Sequence, residues 1–330
     1  MTDIASVVAV LKDSGFCEAA PLRYKGEIAV VGLFPYETQA ADLPRESAAA
    51  YIDVFARKNH YREMVSRLKA AAVRLREGSG LSRDGIRIFV NSQLPEKEMA
   101  VAAGLGFCGK STLLISPAAG VNTLIGGLLF SHAAEERLFA AAERGALPET
   151  VQPLRAPARG CGACSACIDA CPVGALSEKG LDRSRCLQSL ASRAGRVPEE
   201  LLSRWDILYG CSRCRDVCPY NRFNRPGPVH CRGEIDPKAT LGDWLRMAAE
   251  GEEVLANYLK KTALAMGWID KRALIRNAVI LCRRAGLYSE ETARVCAVYE
   301  NEFSELSSVD IPPFLEYSEK DGVKNGRTGN

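Results

Sequence analysis

The 330-residue chain lacks three things, and each absence excludes a class. It has no apolar run of bilayer length. The longest candidate, Thr123 to Phe130, fits a buried strand instead. It has no basic segment followed by an apolar block at its start, which reads Met1-Thr-Asp-Ile-Ala-Ser. A cytoplasmic protein that engages no membrane is therefore expected. It has little net charge: +3 is too small to imply nucleic-acid binding by itself. Hydrophobic residues make up 47% and charged residues 25%, which is ordinary for a soluble globular chain. The length allows two or three domains and a substantial core.

Cysteine, by contrast, is abundant. Eight of the 13 cysteines lie between Cys161 and Cys218. The stretch opens with Cys161-Gly-Ala-Cys164-Ser-Ala-Cys167-Ile-Asp-Ala-Cys171-Pro172 and closes with Cys211-Ser-Arg-Cys214-Arg-Asp-Val-Cys218-Pro219. The opening run is C-x2-C-x2-C-x3-C-P, the bacterial ferredoxin spacing for a [4Fe–4S] cluster, whose fourth cysteine ligates the other cluster. A second, crossed motif is then required. Cys211, Cys214 and Cys218 supply most of it, and Cys186 stands in for the missing ligand. One cubane is expected on Cys161, Cys164, Cys167 and Cys218, and a second on Cys171, Cys186, Cys211 and Cys214. Disulfides suit short secreted chains instead. Zinc would accept the C-x2-C pairs but gives no reason for the Cys-Pro endings. Cys17, Cys282 and Cys296 lie on apolar helical stripes and read as core; Cys231 fits no cluster spacing.

Taken in order, residues 1 to about 20 read as a helix, and Ile28 to Phe34 as a buried strand. Ser47 to Arg76 has helical spacing. Ile86 to Val90 is a strand, and Pro95 to Ala103 a helix with proline in its first turn. Gly104 and Gly109 are five apart, followed by Lys110, as a Walker A loop requires, but the run leads into an apolar strand and not a helix. Its glycines are expected to let the backbone approach something flat or bulky. Residues 1–132 thus alternate helix and strand, an α/β domain. A proline-spaced connector follows at 133–160, then a ferredoxin-like double-cluster domain at 161–235. Two helix pairs at 236–317 suggest a HEAT-like region, and 318–330 is expected to be a disordered tail.

The combination is more specific than its parts. Ala103-Gly-Leu-Gly-Phe-Cys-Gly-Lys-Ser-Thr-Leu-Leu-Ile, the first cysteine run, Leu181-Asp-Arg-Ser-Arg-Cys186 and Tyr209-Gly-Cys through Asn221 and Phe223 together resemble the epoxyqueuosine reductase family. The likeness runs from about Val30 to Arg272-Ala-Leu-Ile-Arg-Asn-Ala278. It implies an oxidoreductase with two [4Fe–4S] clusters and base-off cobalamin, held by the N-terminal domain, which is expected to be the cobalamin-binding one. Such an enzyme removes the epoxide oxygen of epoxyqueuosine in a tRNA anticodon loop. A fold related to reductive dehalogenases, a tRNA partner, a low-potential electron donor such as flavodoxin or ferredoxin, and a monomer are implied with it.

Three segments depart from the family. Its proton donor is an aspartate in a Val-Asp-Ser segment; here the segment is Phe89-Val90-Asn91-Ser92, and asparagine has no titratable proton. Its Tyr-Leu-Thr-x-Glu becomes Ser189-Leu190-Ala191-Ser192-Arg193. Its Arg-Asp-Tyr-His becomes Lys58-Asn59-His60-Tyr61. Asn91 is the candidate at the catalytic position, with a loop asparagine in an Asx-turn as the plainer reading. His60, Asn91, Gly109, Lys110, Ser111 and Leu114 are the candidate cobalamin contacts, His60 lining the corrin pocket without ligating cobalt. Nine arginines between Arg185 and Arg232, with Arg272, Arg276, Arg283 and Arg284, form either a rim around anionic clusters or a phosphate-binding face. Two rivals share the parts: a cobalamin-dependent reductase of another substrate, dehalogenation included, and an electron-transfer or corrinoid-reactivating protein.

Overall fold

The structure is a computed structural model; it describes residues 3–36, 42–148, 159–221, 235–287, 289–300 and 303. The expected tail at 318–330 and Cys231 lie outside the described residues. Helix α1 (Ile4–Asp13) starts at Asp3, whose side chain accepts the Ser6 N–H. The helix expected to reach about residue 20 stops here, because Gly15 turns left-handed (φ 98°). The next residues form strand β1 (Glu18–Tyr24), which has little strand propensity of its own. Pairing with β2 (Glu27–Pro35) decides its state, across a two-residue turn at Lys25-Gly26 where both residues have positive φ.

Strand β3 (Ile86–Val90) and strand β4 (Thr123–Phe130) complete a sheet of order β1-β2-β4-β3. The mixture of helix and sheet agrees with the sequence, and the sheet is antiparallel throughout. A two-residue turn can only join antiparallel strands, and β4 then inserts between β2 and β3. Both faces are covered. Val30, Phe34, Leu128 and Phe130 face α1, α2 (His60–Ser79) and the helix His132–Leu138; Ala29, Val31, Leu33 and Leu129 face α3 (Glu96–Ala102). That is why β2 reads as an unbroken apolar run.

The single helix expected over Ser47 to Arg76 is broken. Asp53 caps a short turn at Val54–Arg57, and Asn59 caps α2 by accepting the Arg62 N–H at 2.9 Å. The strap before α2 leaves the sheet. Its Ala48, Ala49, Ile52 and Ala56 enter a second core with Val173, Leu187, Trp205 and Leu208 from the cysteine-rich region. The same core takes Trp244, Leu274 and Val295 from helices Leu241–Glu250, Lys271–Arg284 and Glu290–Val298. Cysteine-rich region and C-terminal helices are therefore packed as one body.

Helix Lys271–Arg284 is buried nearly throughout and donates polar bonds across that core. Arg276, 1% exposed, donates to the carbonyls of Arg193 (2.9 Å) and Leu190 (2.7 Å) and lies over the Trp205 ring. Asn277 donates to the carbonyls of Ala191 and Leu208. Arg284 donates to the Leu202 carbonyl at 3.2 Å. Arg276 and Arg284 are thus internal fasteners, not part of a phosphate-binding face. They satisfy loop carbonyls that would otherwise be buried without partners. Among the described residues no helix is long and apolar enough to cross a membrane.

Candidate functional site: two cysteine quartets and a cleft

The eight cysteines fall into two groups in space. Cys161, Cys164, Cys167 and Cys218 line one small cavity, with Ser111 and Ile115 of the glycine loop beside them. Cys171, Cys186, Cys211 and Cys214 line a much larger cleft of about 580 Å³. The electrostatics repeat the grouping. Burial raises the Cys167 thiol, and so do the thiols of Cys161, Cys164 and Cys218. Cys214 is pushed up to about 12 by burial first, then by Cys211, Cys186 and Cys167 of the other group, with Arg215 pulling it back down a little. Cys214 also touches the small cavity, so the two groups adjoin there. None of the described cysteines is in a disulfide.

The donor set fits two cubanes and not single ions. Among the described residues, no three His, Cys, Asp or Glu side chains converge closely enough to hold one metal ion. A cubane needs no such convergence, because each of its irons takes one thiolate and the four sulfurs stand apart. Backbone donors already aim at the sulfurs: the Lys110 N–H at Cys161 Sγ (3.4 Å) and the Ala175 N–H at Cys171 Sγ (3.2 Å). Such bonds stabilise a thiolate over a thiol.

The glycine loop serves the first quartet. A side chain at Gly109 would meet Ile115 at 2.4 Å and Cys161 Sγ at 3.4 Å. The close approach its glycines allow is thus to the chain's own hairpin and a ligand-bearing loop. Lys110 Nζ pairs with Glu178 at 2.8 Å. Asn221 fastens the far end of the motif, accepting from the Val121 N–H at 3.0 Å and donating to the Arg215 carbonyl at 2.8 Å.

The cleft lies between the sheet domain and the second quartet. One wall carries Asn91, Ser92 and Glu96, then Ser111 to Leu114; the other carries the quartet, Gln188 and Tyr209. Tyr61 and Trp268 meet edge-to-face (5.3 Å) and both line it. Arg215 joins the walls. It is 6% exposed and donates to Tyr36 Oη (2.9 Å) and Asp53 Oδ1 (3.1 Å), over the rings of Tyr36 and Phe55. The Tyr36 phenol, buried, is pushed up to about 12.

Of the six candidate cofactor contacts, Asn91, Ser111 and Leu114 line the cleft. Gly109 and Lys110 lie by the first quartet instead. His60 is 2% exposed against the Tyr36 ring and is not among the residues lining the cleft. Asn91 sits in the left-handed region (φ 44°), which asparagine tolerates best after glycine. Its N–H donates to Glu96 Oε2 (3.2 Å); the Ser92 N–H and hydroxyl donate to Glu96 Oε1 (2.7 and 2.9 Å). Burial raises the Glu96 carboxyl above its usual range. Glu96, Tyr209, Trp268 and Arg215 were not legible as site residues from sequence. The one available signal was Glu96 in the first turn of a helix four residues after Ser92.

These features define a class: a two-cluster iron–sulfur protein with a cofactor-sized cleft against one of its cysteine quartets. Residues 160–221 match the family described as the 4Fe-4S double cluster binding domain. Within that class, the chain is similar to epoxyqueuosine reductases. That of Pseudomonas aeruginosa is 32% identical over 66% of this chain and 56% of its own length. That of Leadbetterella byssophila is 31% identical over 63% of this chain and 62% of its own. The chain thus spans little more than half of these relatives. The fold is shared with epoxyqueuosine reductase from Streptococcus thermophilus (TM-score 0.64, 20% identity, 93% of this chain and 86% of that one). It is also shared with an epoxyqueuosine reductase solved with an epoxyqueuosine-modified tRNA-Tyr stem loop (TM-score 0.55, 22% identity, 86% of this chain and 69% of that one).

Proposed function

We propose that the chain is a cobalamin- and iron–sulfur-dependent reductase of the epoxyqueuosine reductase type, acting on a tRNA nucleoside. The observation that carries this reading is the position of the second quartet, which forms part of the cleft wall opposite Asn91. A cofactor in the cleft would receive electrons without a further carrier. The chemistry is the conversion of an epoxide, two electrons and two protons into an alkene and water. A low-potential one-electron donor protein, flavodoxin or ferredoxin in kind, supplies the electrons through the quartet with the exposed Cys164. The ligand sets follow the grouping: Cys161, Cys164, Cys167 and Cys218 for one cubane, Cys171, Cys186, Cys211 and Cys214 for the other.

The cleft fits a corrin. It falls in the volume range of cofactor sites and is lined mostly by apolar groups with a few polar ones between. When bound, cobalamin supplies a strongly reducing nucleophilic centre. The residues of the chain do the rest. Ser111 and Asn91 offer hydrogen bonds to corrin amides or substrate, and Tyr61 and Trp268 offer flat apolar surface. The second-quartet wall excludes water from one side. The remaining assignments, an N-terminal cobalamin domain, a HEAT-like C-terminal region, a monomer and a cytoplasmic location, belong to the same reading.

Anaerobic reconstitution, cobalamin titration and a turnover assay with epoxyqueuosine-modified tRNA test it. About eight irons per chain, a corrin spectrum that survives desalting, and queuosine as product are expected. Clusters without retained corrin would leave an electron carrier in its place.

A further inference from the structure

Reductive removal of an epoxide oxygen requires a proton on that oxygen, and Asn91 has none to give. The inference that follows rests on the functional reading above. We propose that Glu96 is the acid of this site, delivering its proton from Oε2 beside Asn91 to the departing oxygen.

The geometry singles it out. Among the described residues, Glu96 and Glu98 are the two carboxyls lining the cleft. Only Glu96 bonds to the Asn91-Ser92 turn, at the end of β3 where that turn enters the cleft. Its two oxygens are unequally held. Oε1 accepts two bonds from Ser92, at 2.7 and 2.9 Å. Oε2 accepts one long bond, 3.2 Å, from the Asn91 N–H. A proton therefore costs least on Oε2, where it displaces the weakest bond and leaves the Ser92 pair intact. Burial favours the protonated form, and a ligand closing the cleft buries the carboxyl further.

The other ionisable side chains of the cleft do not replace it. Lys97, on the same helix, donates to the Thr112 carbonyl at 3.0 Å. Arg213 is paired with Asp206. Tyr61 and Tyr209 are phenols that burial raises further, Tyr61 the more strongly, with the Glu96 charge adding to its rise. Lys58 lines the cleft from the strap before α2, not from the helix that carries Glu96. In the step, a C–O bond of the epoxide breaks and its electron pair stays on oxygen. That oxygen takes the Glu96 proton, Glu96 is left as carboxylate, and solvent at the cleft mouth reprotonates it. The second proton comes from solvent as water leaves. The donor protein's two electrons, passed through the clusters, complete the balance.

The test compares the parent, Glu96→Gln, and Glu96→Gln with Asn91→Asp, all with clusters and cobalamin loaded. Glutamine keeps an oxygen for the Ser92 bonds, so tRNA binding and iron content are expected within about twofold of the parent, while turnover falls about 100-fold. An aspartate at position 91 then restores at least about tenfold, which a lost turn-capping bond would not allow. Infrared difference spectra against pH, read without turnover, are expected to show a protonated carboxyl band in the parent that Glu96→Gln removes. A Gln variant within about threefold of an active parent, an Asn91→Asp that restores nothing, or an unchanged band overturns the acid role. A parent that loads both cofactors and binds tRNA without turnover overturns the functional reading, and the acid with it.

Discussion

The two walls of the cleft are held by different means. The second-quartet wall is fastened many times over. Arg276, Asn277 and Arg284 donate to seven of its carbonyls between Leu190 and Leu208, and Arg215 ties its last helical turn to Tyr36 and Asp53. The opposite wall at Asn91-Ser92 is an exposed turn held through one carboxylate. Electron supply demands fixed ligand positions and so tolerates little change. In the proposed reaction, proton supply needs one group within reach, a duty that a neighbouring position such as Glu96 can take over.

Losing a ligand breaks this contrast most severely. On the proposed ligand sets, one cubane per quartet, Cys186→Ser and Cys161→Ser are each expected to lower iron and sulfide to about half. Only Cys186→Ser alters the cleft wall and, with it, corrin retention. Equal effects of the two on corrin binding would show that the quartets are not arranged near and far. Next comes Arg276→Ala, expected to cost about 3–5 kcal/mol because carbonyls and Asn277 lose a buried charged partner. Thermal or denaturant unfolding of the loaded protein measures it, and a loss under about 1 kcal/mol would mean that this wall is held elsewhere.

Arg215→Met is expected to cost somewhat less, about 2–4 kcal/mol, by leaving Asp53 nearly buried without its cation. It is also expected to loosen the two walls relative to each other, read as weaker corrin retention with iron unchanged. The smallest effect is a pH slope. The folded Glu96 carboxyl is raised, so the stability it contributes is full below the usual glutamate range and is lost as pH rises through the raised value. Glu96→Gln flattens the stability curve over that window, and an identical curve in parent and variant would show that the carboxyl is not shifted.

Much of the cysteine-rich region was legible in sequence, because ligand spacing is a local quantity. Four ligands within eleven residues and a terminal Cys-Pro need no knowledge of distant chain. The strands β2, β3 and β4 were legible too, from short apolar runs between turns. Strand β1 was not, since Glu-Ala-Ala-Pro-Leu-Arg-Tyr acquires its state from β2. The break between Ser47 and His60 was missed because apolar spacing outweighed the caps Asp53 and Asn59. The arginines misled for a related reason. Charge is visible in a sequence and burial is not, so Arg276 and Arg284 could be read either as a rim around the clusters or as a phosphate-binding face, and they are neither.

What the sequence determined by itself was the donor chemistry: eight thiols at cluster spacing, a glycine-rich loop ahead of them, and an asparagine that cannot give a proton. What only the tertiary structure decided was adjacency. It joined residues 91, 96, 186 and 211 into one cleft, placed one quartet on its wall and the other behind, and set Glu96 against the Asn91 turn. Spacing along a chain reports which atoms can bind. Which of them meet depends on how two cores pack, and that is settled by burial summed over residues far apart in sequence.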